Sequence, residues 1–491
     1  MRPRSGICAT VTAATTAELR RRRDAVVGAD LVELRLDSVA DPDVAGALAG
    51  RRTPVIVTCR PTWEGGAFAG TEEERQRLLN EALARGAEYV DVEWRAGFSG
   101  LIASSADRIV LSSHDFTGIP IDLDARINAM RAAGARFVKV AVTPSRLSDV
   151  LVLQKLGAGN DTARRTVLIA MGERGLTTRI LPERFGSAWT YAGDLGDVGQ
   201  VTIASLLDFY RFREVTEDAR LYGVAGSPVS HSVSPAMHNA SFRALGENAV
   251  YLPLPAADAD DLLAFARGMG LSGASVTIPF KVPLLELLDT VDAKARDAGA
   301  VNTIRQVDGG WAGTNTDIQG FLAAFDRRGI ALKGVRVSVL GAGGAARAVT
   351  MGLASRGAHV SVHARDTQAA AAVAALGAGQ ARQWPPMSGS WDVLVNCTPV
   401  GKHPNADASP LAGATIDGRV VYDLVYNPED TRLLRDARAA GAETIGGLDM
   451  LVAQAEAQCE WWTGKRPPDG VMRSAAIARL SEFTSNAHDL V

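Results

Sequence analysis

The sequence predicts an α/β protein in which a closed barrel of strand-helix units is followed by a second α/β module. Two observations lead to this fold class. Short β-branched runs alternate eight times with helical stretches through about the first 210 residues. Farther along the chain, the strand Val335–Leu340 runs directly into a Gly-rich turn and a helical segment, as in nucleotide-binding α/β folds.

The first half has the pattern of a (βα)8 TIM barrel, in which each parallel strand is followed by a helix. An open doubly wound sheet is the alternative, but no Gly-rich phosphate loop occurs in this half. The predicted strands are Ile7–Val11, Leu31–Arg35, Val55–Cys59, Tyr89–Glu93, Ile109–Ser113, Phe137–Val142, Val167–Met171 and Ala188–Tyr191. The predicted helices include Glu72–Arg85, Leu123–Ala133 and Val201–Arg211.

A short linker separates the two halves. The segment VTEDAR (215–220) follows the last barrel helix and precedes a new predicted strand, Leu221–Ala225. We therefore expect one domain over residues 1–214 and a second module over residues 220–491.

Composition excludes several classes of protein. Of 491 residues, 47% are hydrophobic and 22% charged, which is typical of a globular protein. A net charge of −3 argues against a nucleic-acid binder that relies on a positive field and against a protein bound to a membrane surface. No apolar run approaches the ~20 residues of a membrane span. The MRPRSG start leads directly into the first predicted strand, without the apolar stretch of a signal peptide.

The four cysteines are scattered and form no CxxC pair, which argues against a zinc cluster or a disulfide framework. A reducing compartment fits this usage, so we expect a cytoplasmic protein without a bound metal. The cysteines are Cys8, Cys59, Cys397 and Cys459.

Polar residues at the carboxyl ends of the barrel strands indicate an active site, because barrel enzymes place their sites there. Lys139 lies in the otherwise apolar strand FVKVAV, where burial favours a neutral amine that attacks carbonyls to form a Schiff base. A lysine paired with a carboxylate is the alternative. His114 on the neighbouring strand is either a general acid/base or a core histidine, and Glu93 is a candidate to orient it. Further polar strand ends are Glu33, Arg35 and Arg60.

The second module carries a candidate nucleotide site. The turn that begins at Gly341 lies between strand and helix, where backbone N–H groups and the helix N-terminus can meet a pyrophosphate. The next strand ends near Arg365 and Asp366. An arginine suits a 2′-phosphate and an acidic residue suits a free ribose hydroxyl, so this pair leaves the choice of NADP or NAD open.

Other loops of the second module carry candidates for substrate binding and acid/base chemistry. Ser232 and Ser234 suit either a carboxylate ligand or a helix cap. Lys281 ends the strand SVTIPFK, and Asp317 ends the motif GTNTD. They form a candidate acid/base pair, although surface residues would show the same letters.

Six ordered motifs in residues 5–212 resemble type I 3-dehydroquinate dehydratases. They are VELRLD, VTCRPTWEGG, YVDVEW, LSSHDF, FVKVAVTP and MGERGLTTRILPERFGS. The resemblance implies a barrel in which Lys139 forms the imine, His114 shuttles protons and Glu93 positions His114. It also assigns the substrate pocket to Glu33, Arg35, Arg60, Met171, Arg179 and Gln200. Gly196 stands where many members of that family have a serine.

A second ordered set resembles shikimate dehydrogenases over residues 220–480. It consists of GSPVSHSVSPAMHN, SVTIPFK, GAVNT, GTNTD, GAGGAAR, VNCTPVG, YDLVYNP and GGLDMLVAQA. The resemblance implies a substrate lobe over 220–325 plus 450–491 and a Rossmann-like NADP lobe over 326–449.

In that family Lys281 and Asp317 correspond to the catalytic pair. Substrate binding falls to Ser232, Ser234, Thr277, Asn302, Thr316, Tyr426, Gln454 and Gln458. Cofactor binding falls to Gly341, Gly343, Gly344, Arg365, Thr398 and Gly447. Three departures are Ser275 in place of the usual Asn, Asp366 beside Arg365, and Lys402 where Met is common.

Together the two resemblances imply consecutive reactions of aromatic amino-acid precursor synthesis. 3-Dehydroquinate is dehydrated to 3-dehydroshikimate, which is reduced to shikimate with NADPH; this order resembles the bifunctional enzymes of plants and some bacteria. An NAD-dependent enzyme acting on quinate and a non-catalytic quinate sensor are the alternatives, and a Schiff-base aldolase is a further one for the barrel alone. Small-molecule substrates are the expected partners, and monomer and dimer stay open.

Overall fold

Eight parallel strands in the first part of the chain form one sheet that is almost closed on itself. The computed structural model describes residues 4–158, 164–193, 199–230 and 232–488. The strands are β1 (Gly6–Val11), β2 (Leu31–Arg35), β3 (Val55–Thr58), β4 (Tyr89–Glu93), β5 (Ile109–Asp115), β6 (Phe137–Val142), β7 (Thr166–Ala170) and β8 (Trp189–Ala192). Their order is β7-β6-β5-β4-β3-β2-β1-β8, and the Ala188 N–H donates to the Thr166 carbonyl at 2.8 Å across the remaining seam. The predicted barrel fold is therefore confirmed.

Helices follow the strands and cover the outer face of the barrel. Strands β6, β7 and β8 are buried along their whole length, which explains why they read as continuous apolar runs. Thr71 begins α3 with a reciprocal capping box to Glu74. The helices are α1 (Thr16–Asp24), α2 (Val44–Leu48), α3 (Glu72–Ala84), α4 (Ser99–Ser105), α5 (Leu123–Ala132), α6 (Val150–Gly157) and α7 (Leu176–Ile180).

The predicted helix Val201–Arg211 is shorter in the structure than expected. Helical backbone covers residues 203–209, of which Ser205–Phe209 form a π-helical turn. Val201 instead bridges to Ala192 of β8, and the Thr202 hydroxyl accepts the N–H of Ser205. The β-branched residues at the start of this segment favour extended backbone over helix, which is the conformation that the bridge to β8 requires.

A mixed six-stranded sheet begins the second module, in the order β10-β9-β11-β13-β14-β12. Its strands are β9 (Arg220–Ala225), β10 (Ala249–Leu254), β11 (Leu271–Val276), β12 (Thr290–Val291), β13 (Thr303–Val307) and β14 (Gly310–Thr314). The intervening helices are α8 (Ser234–Ala244), α9 (Ala259–Met269), α10 (Leu284–Leu287) and α11 (Ala293–Ala298).

A parallel six-stranded sheet follows, in the order β17-β16-β15-β18-β19-β20. This is the doubly wound order, and ligands bind such sheets at the carboxyl ends of the two strands where the order reverses, here β15 and β18. The strands are β15 (Arg336–Leu340), β16 (His359–His363), β17 (Gln380–Arg382), β18 (Val393–Asn396), β19 (Val420–Asp423) and β20 (Glu443–Ile445). The helices are α12 (Asp317–Arg328), α13 (Gly344–Ser355), α14 (Thr367–Ala375), α15 (Arg432–Ala439), α16 (Gly447–Thr463) and α17 (Val471–His488).

The chain divides into two units, Met1–Ala219 with Leu254–Gly270 and Arg220–Pro253 with Leu271–Val491. Residues 254–270 thus group with the barrel, although the sequence prediction placed them in the second module. Within the described residues, no helix is long and apolar enough to cross a membrane.

Candidate active sites

Lys139 lies in the interior of the barrel, in the middle of β6, with 6% of its side chain exposed. Its Nζ is 3.1 Å from Oδ2 of Asp91 and 3.4 Å from Oε1 of Glu33. The aromatic face of Tyr191 lies on another side, with its ring centroid 4.3 Å from Nζ. The residue is therefore both buried and paired with carboxylates, so its environment combines the two interpretations of the sequence.

The two carboxylates around Lys139 are themselves held in place. Asp91 accepts a hydrogen bond from Ser112 at 2.5 Å and forms an ion pair with Arg60, whose Nη2 is 3.0 Å from Oδ1. Although burial acts to raise it, Lys139 and Arg60 bring the pKa of Asp91 down to about 2. Asp91 therefore stays a carboxylate at neutral pH and keeps the lysine nitrogen in a fixed position.

Glu33 connects the lysine to the opposite side of the barrel. Its carboxylate accepts hydrogen bonds from Thr58 at 3.0 Å and Thr10 at 3.2 Å. The Thr10 hydroxyl in turn accepts from Nε2 of Gln200 at 3.2 Å. The predicted residues Glu33, Gln200 and Lys139 thus belong to one chain of hydrogen bonds.

His114 lies near the end of β5 and contacts Glu64 and Arg60. Its Nδ1 is 3.0 Å from Oε1 of Glu64, and Nη1 of Arg60 is 2.7 Å from its Nε2. Burial, together with Arg60 and Lys139, lowers the pKa of His114 well below its usual value. The imidazole is therefore neutral, and Nη1 of Arg60 contacts Nδ1 as well as Nε2. We assign the ring proton to Nδ1, facing Glu64, which leaves Nε2 as the nitrogen that can take up a proton.

Glu64 is the carboxylate that contacts the His114 ring in the structure, and the role of Glu93 in positioning His114 stays a prediction. Glu93 binds Arg75, a fully buried arginine of α3, and its other oxygen is 4.0 Å from Nε of Arg60. A buried guanidinium needs a carboxylate partner, and Glu93 fills that requirement. Glu93 therefore lies beside the site without contacting the histidine.

Sequence reasoning missed both Glu64 and Asp91. Asp91 interrupts the apolar strand YVDVE in the same way that Lys139 interrupts FVKVAV, so the same argument would have found it. Glu64 lies in a 3-10 turn after β3, where no periodicity marks it. Its only signal is its place as the sole acidic residue of VTCRPTWEGG.

The other predicted barrel residues are not all in contact with this cluster. Arg35 donates twice to Asp37, at 2.9 and 2.7 Å. Met171 is buried in the apolar cluster that contains Tyr191. Arg179 is buried in α7, where desolvation lowers its pKa to about 10. Gly196 lies outside the described residues.

In the second unit, a cavity of about 360 Å³ contains the predicted acid/base pair. Nζ of Lys281 is 2.5 Å from Oδ2 of Asp317, and the other oxygen of Asp317 accepts from the Asn302 amide at 2.8 Å. Asn302 also bonds to Thr316, which lies behind the cavity wall. The predicted residues that line the cavity are Ser232, Ser234, Thr277, Lys281, Asn302, Asp317, Tyr426, Gly447, Gln454 and Gln458.

Ser275, where the related family usually has Asn, is part of a buried hydrogen-bond chain. Its hydroxyl accepts from Tyr251 at 2.6 Å and donates to Oε1 of Gln458 at 2.8 Å, while Gln458 donates to Thr303 at 3.0 Å. This chain fixes the Gln458 side chain at the cavity wall. At the opposite wall, the Ser232 hydroxyl accepts the N–H of Ser234 at 3.2 Å.

A larger cavity of about 1360 Å³ lies at the carboxyl ends of β15 and β18. Gly341 has a φ of +105°, and a Cβ there would be 3.1 Å from the Thr398 side chain, so the turn requires glycine. At Gly343 and Gly344 a Cβ would meet nothing within 4 Å, which leaves their backbone open to a ligand. Of the six predicted cofactor residues, five line this cavity, and Gly447 lines the smaller one.

Arg365, which follows β16, is exposed at the rim of the larger cavity. The Asp366 carboxylate caps α14 by accepting the N–H groups of Gln368 and Ala369 at 2.9 and 3.0 Å. Ala345, Lys402, Leu424 and Tyr426 line both cavities, so the two adjoin. In the described part of the chain, no three His, Cys, Asp or Glu side chains are grouped to hold a metal ion.

Family models match both units. The model of type I 3-dehydroquinase matches residues 7–217. The model of the shikimate dehydrogenase substrate binding domain matches residues 224–304, and that of the shikimate 5'-dehydrogenase C-terminal domain matches residues 447–477.

Individual relatives agree with these matches. The chain is 35% identical over 482 residues to the chloroplastic bifunctional 3-dehydroquinate dehydratase/shikimate dehydrogenase of Arabidopsis thaliana, covering 90% of this chain and 79% of the relative. It is 43% identical over 281 residues to the shikimate dehydrogenase (NADP(+)) of Symbiobacterium thermophilum, covering 53% and 95%. A solved shikimate dehydrogenase in complex with NADP+ matches with a TM-score of 0.52 at 35% identity, covering 54% and 97%.

Proposed function

The chain belongs to the family of bifunctional 3-dehydroquinate dehydratase/shikimate dehydrogenases, and we propose that Lys139 carries its first reaction and the Lys281–Asp317 pair its second. It dehydrates 3-dehydroquinate to 3-dehydroshikimate and reduces that product to shikimate with NADPH. The observation that carries the assignment is a lysine hydrogen-bonded to a carboxylate in each unit, at 3.1 Å in the barrel interior and at 2.5 Å on the wall of the cavity in the second unit.

In the barrel, Lys139 passes one proton of its ammonium to a neighbouring carboxylate, and the resulting amine attacks the substrate ketone. Return of that proton releases one water and leaves a protonated imine. The imine draws electrons from the neighbouring C–H bond, so that Nε2 of His114 can remove the proton. The electron pair expels the β-hydroxyl, which leaves as water with the proton that His114 returns. Hydrolysis of the imine consumes one water and frees both Lys139 and the product, so the net change is the loss of one water.

Changing Glu64 to Gln is expected to abolish the pH dependence of dehydration near neutrality. Burial raises the pKa of Glu64 to about 7; the charge of Arg60 acts to lower it, and the charges of Glu93 and Asp91 act to raise it further. Above that pH the carboxylate accepts the Nδ1 proton and keeps Nε2 as the base. Wild-type kcat/KM should therefore rise with pH through about 7 and then level off, whereas the variant should be flat and about 10²-fold slower at pH 8.

The control for this prediction is Glu73→Gln, which removes an exposed carboxylate from α3. It should leave the profile unchanged. An unaltered inflection near pH 7 in the Glu64 variant would show that another group controls the histidine.

The second unit fits a nicotinamide cofactor because its Gly-rich turn presents open backbone at the N-terminus of α13. Gly341, Gly343, Gly344 and Thr398 would hold it, with Arg365 facing a 2′-phosphate. When bound, NADPH supplies a hydride to the ketone carbon. Lys281 donates a proton to the ketone oxygen, and Asp317, held by Asn302, fixes Nζ in place.

We assign residues 1–214 to the dehydratase and 220–491 to the dehydrogenase. The two sheets of the second unit support a substrate lobe over 220–325 plus 450–491 and an NADP lobe over 326–449. We place the enzyme in the cytoplasm, since its four cysteines are all unpaired thiols. Its binding partners are the small-molecule substrates. The enzyme is a monomer or a dimer.

The test is NADPH consumption by the purified protein after addition of 3-dehydroquinate, with 3-dehydroshikimate in a parallel cuvette. Loss of NADPH is expected with both. Loss with 3-dehydroshikimate alone would refute the barrel assignment, and loss with neither would refute both. Oxidation of quinate with NAD at a higher rate than shikimate with NADP would favour a quinate enzyme.

A further inference from the structure

The mechanism above gives no role to the Tyr191 ring, which lies against Lys139. The aromatic face lies over Nζ, 4.3 Å from centroid to nitrogen. Asp91 and Glu33 contact the same nitrogen through hydrogen bonds. The lysine nitrogen is thus held by two kinds of interaction, one through its N–H groups and one through its positive charge.

The ring cannot easily move away from the nitrogen. Tyr191 is 4% exposed and belongs to the apolar cluster that fills the barrel interior. Its ring packs edge-on against Trp189 with centroids 6.4 Å apart, and Trp189 packs against Phe137 at 4.7 Å. Phe137 packs in turn against Tyr89 at 5.4 Å. This row of aromatic rings supports Tyr191 beneath the site.

The two kinds of interaction respond differently when the imine forms. An ammonium has three N–H donors, and Asp91 and Glu33 accept two of them. A protonated imine has a single N–H, so at most one of these hydrogen bonds survives. The contact with the ring depends on charge rather than on N–H groups, and it persists.

We propose that Tyr191 is a positioning residue that holds the charged nitrogen of Lys139 through its aromatic face and stabilises the protonated imine. This inference rests on the proposed function of Lys139. It assigns the effect to the ring and not to the hydroxyl group.

The test compares Tyr191→Phe, which keeps the ring, with Tyr191→Leu, which removes it. We expect Tyr191→Phe to dehydrate within about 3-fold of wild type and Tyr191→Leu to lose roughly 10- to 30-fold in kcat, with a smaller change in KM. Borohydride reduction in the presence of product, followed by mass spectrometry, measures the fraction of protonated imine. As the pH is raised, the fraction of protonated imine should begin to fall at a lower pH in Tyr191→Leu than in Tyr191→Phe. Thermal unfolding of both variants shows whether the barrel is intact.

The outcomes separate this inference from the function on which it rests. No borohydride adduct in wild type would refute the imine, and with it the role of Tyr191. An adduct in wild type with equal loss of kcat in both variants would assign the effect to the hydroxyl and overturn the inference. So would a Tyr191→Leu variant whose pH profile of trapping matches that of Tyr191→Phe, since a purely packing role predicts no shift.

Discussion

Replacing Lys139 with alanine is expected to lower the turnover of 3-dehydroquinate about 10⁴-fold, while reduction of 3-dehydroshikimate continues at the wild-type rate. Lys139 supplies the amine that forms the imine, and without it the adjacent C–H bond has no electron sink. Dehydration is measured from the absorbance of the enone product. The second reaction, followed as NADPH consumption, serves as an internal control in the same preparation.

Alanine also removes the cation shared by two buried carboxylates, of which Asp91 keeps its ion pair with Arg60. Breaking a buried ion pair costs about 3–5 kcal/mol, so loss of activity in this variant has to be separated from loss of folding. Lys139→Arg makes that separation, because it keeps a positive charge beside Asp91 and Glu33 but forms no imine with a ketone. We expect it to be as inactive as the alanine variant.

The matched control is Lys155→Ala, which removes an exposed lysine from α6. It should dehydrate at the wild-type rate. Borohydride treatment with product should label wild type and the Lys155 variant, and neither Lys139 variant. Dehydration that persists in both Lys139 variants would eliminate the imine mechanism.

The barrel could be predicted from sequence because each strand is a short apolar run flanked by polar segments. Most predicted strand ends agree with the structure to within one or two residues. The predicted helix Val201–Arg211 begins two residues later than expected, because Val201 pairs with Ala192 of β8. Local periodicity does not report such a tertiary contact.

Within the site, residues that break an apolar strand were easier to predict than residues in turns. Lys139 is conspicuous because a charge inside FVKVAV demands an explanation. The carboxylate that contacts His114 is determined by two contacts between distant parts of the chain. Arg75 of α3 forms an ion pair with Glu93, and the 3-10 turn after β3 places Glu64 next to His114 of β5. Both contacts are long-range in the chain, so the sequence predicts the residue types near the site but does not reveal that Glu64 contacts His114.

The final expectation concerns Lys281, whose replacement by alanine should lower the rate of 3-dehydroshikimate reduction about 10²- to 10⁴-fold and leave dehydration unchanged. The developing alkoxide needs a proton, and Nζ of Lys281 lines the cavity 2.5 Å from Asp317. NADPH oxidation measures the rate. Binding of NADP+ followed by fluorescence should be unaltered, because Lys281 is not among the residues of the larger cavity.

Asp317→Asn separates a coupled pair from two independent groups. If Asp317 acts by holding Nζ, its loss removes much of what Lys281 contributes, and the double variant should be little slower than Lys281→Ala alone. Independent groups would give multiplied losses. Lys294→Ala, which removes an exposed lysine from α11, is the charge-matched control and should reduce at the wild-type rate. A Lys281 variant as fast as this control would remove the pair from the mechanism, and the proton would then have to come from another polar group of the cavity, such as Tyr426.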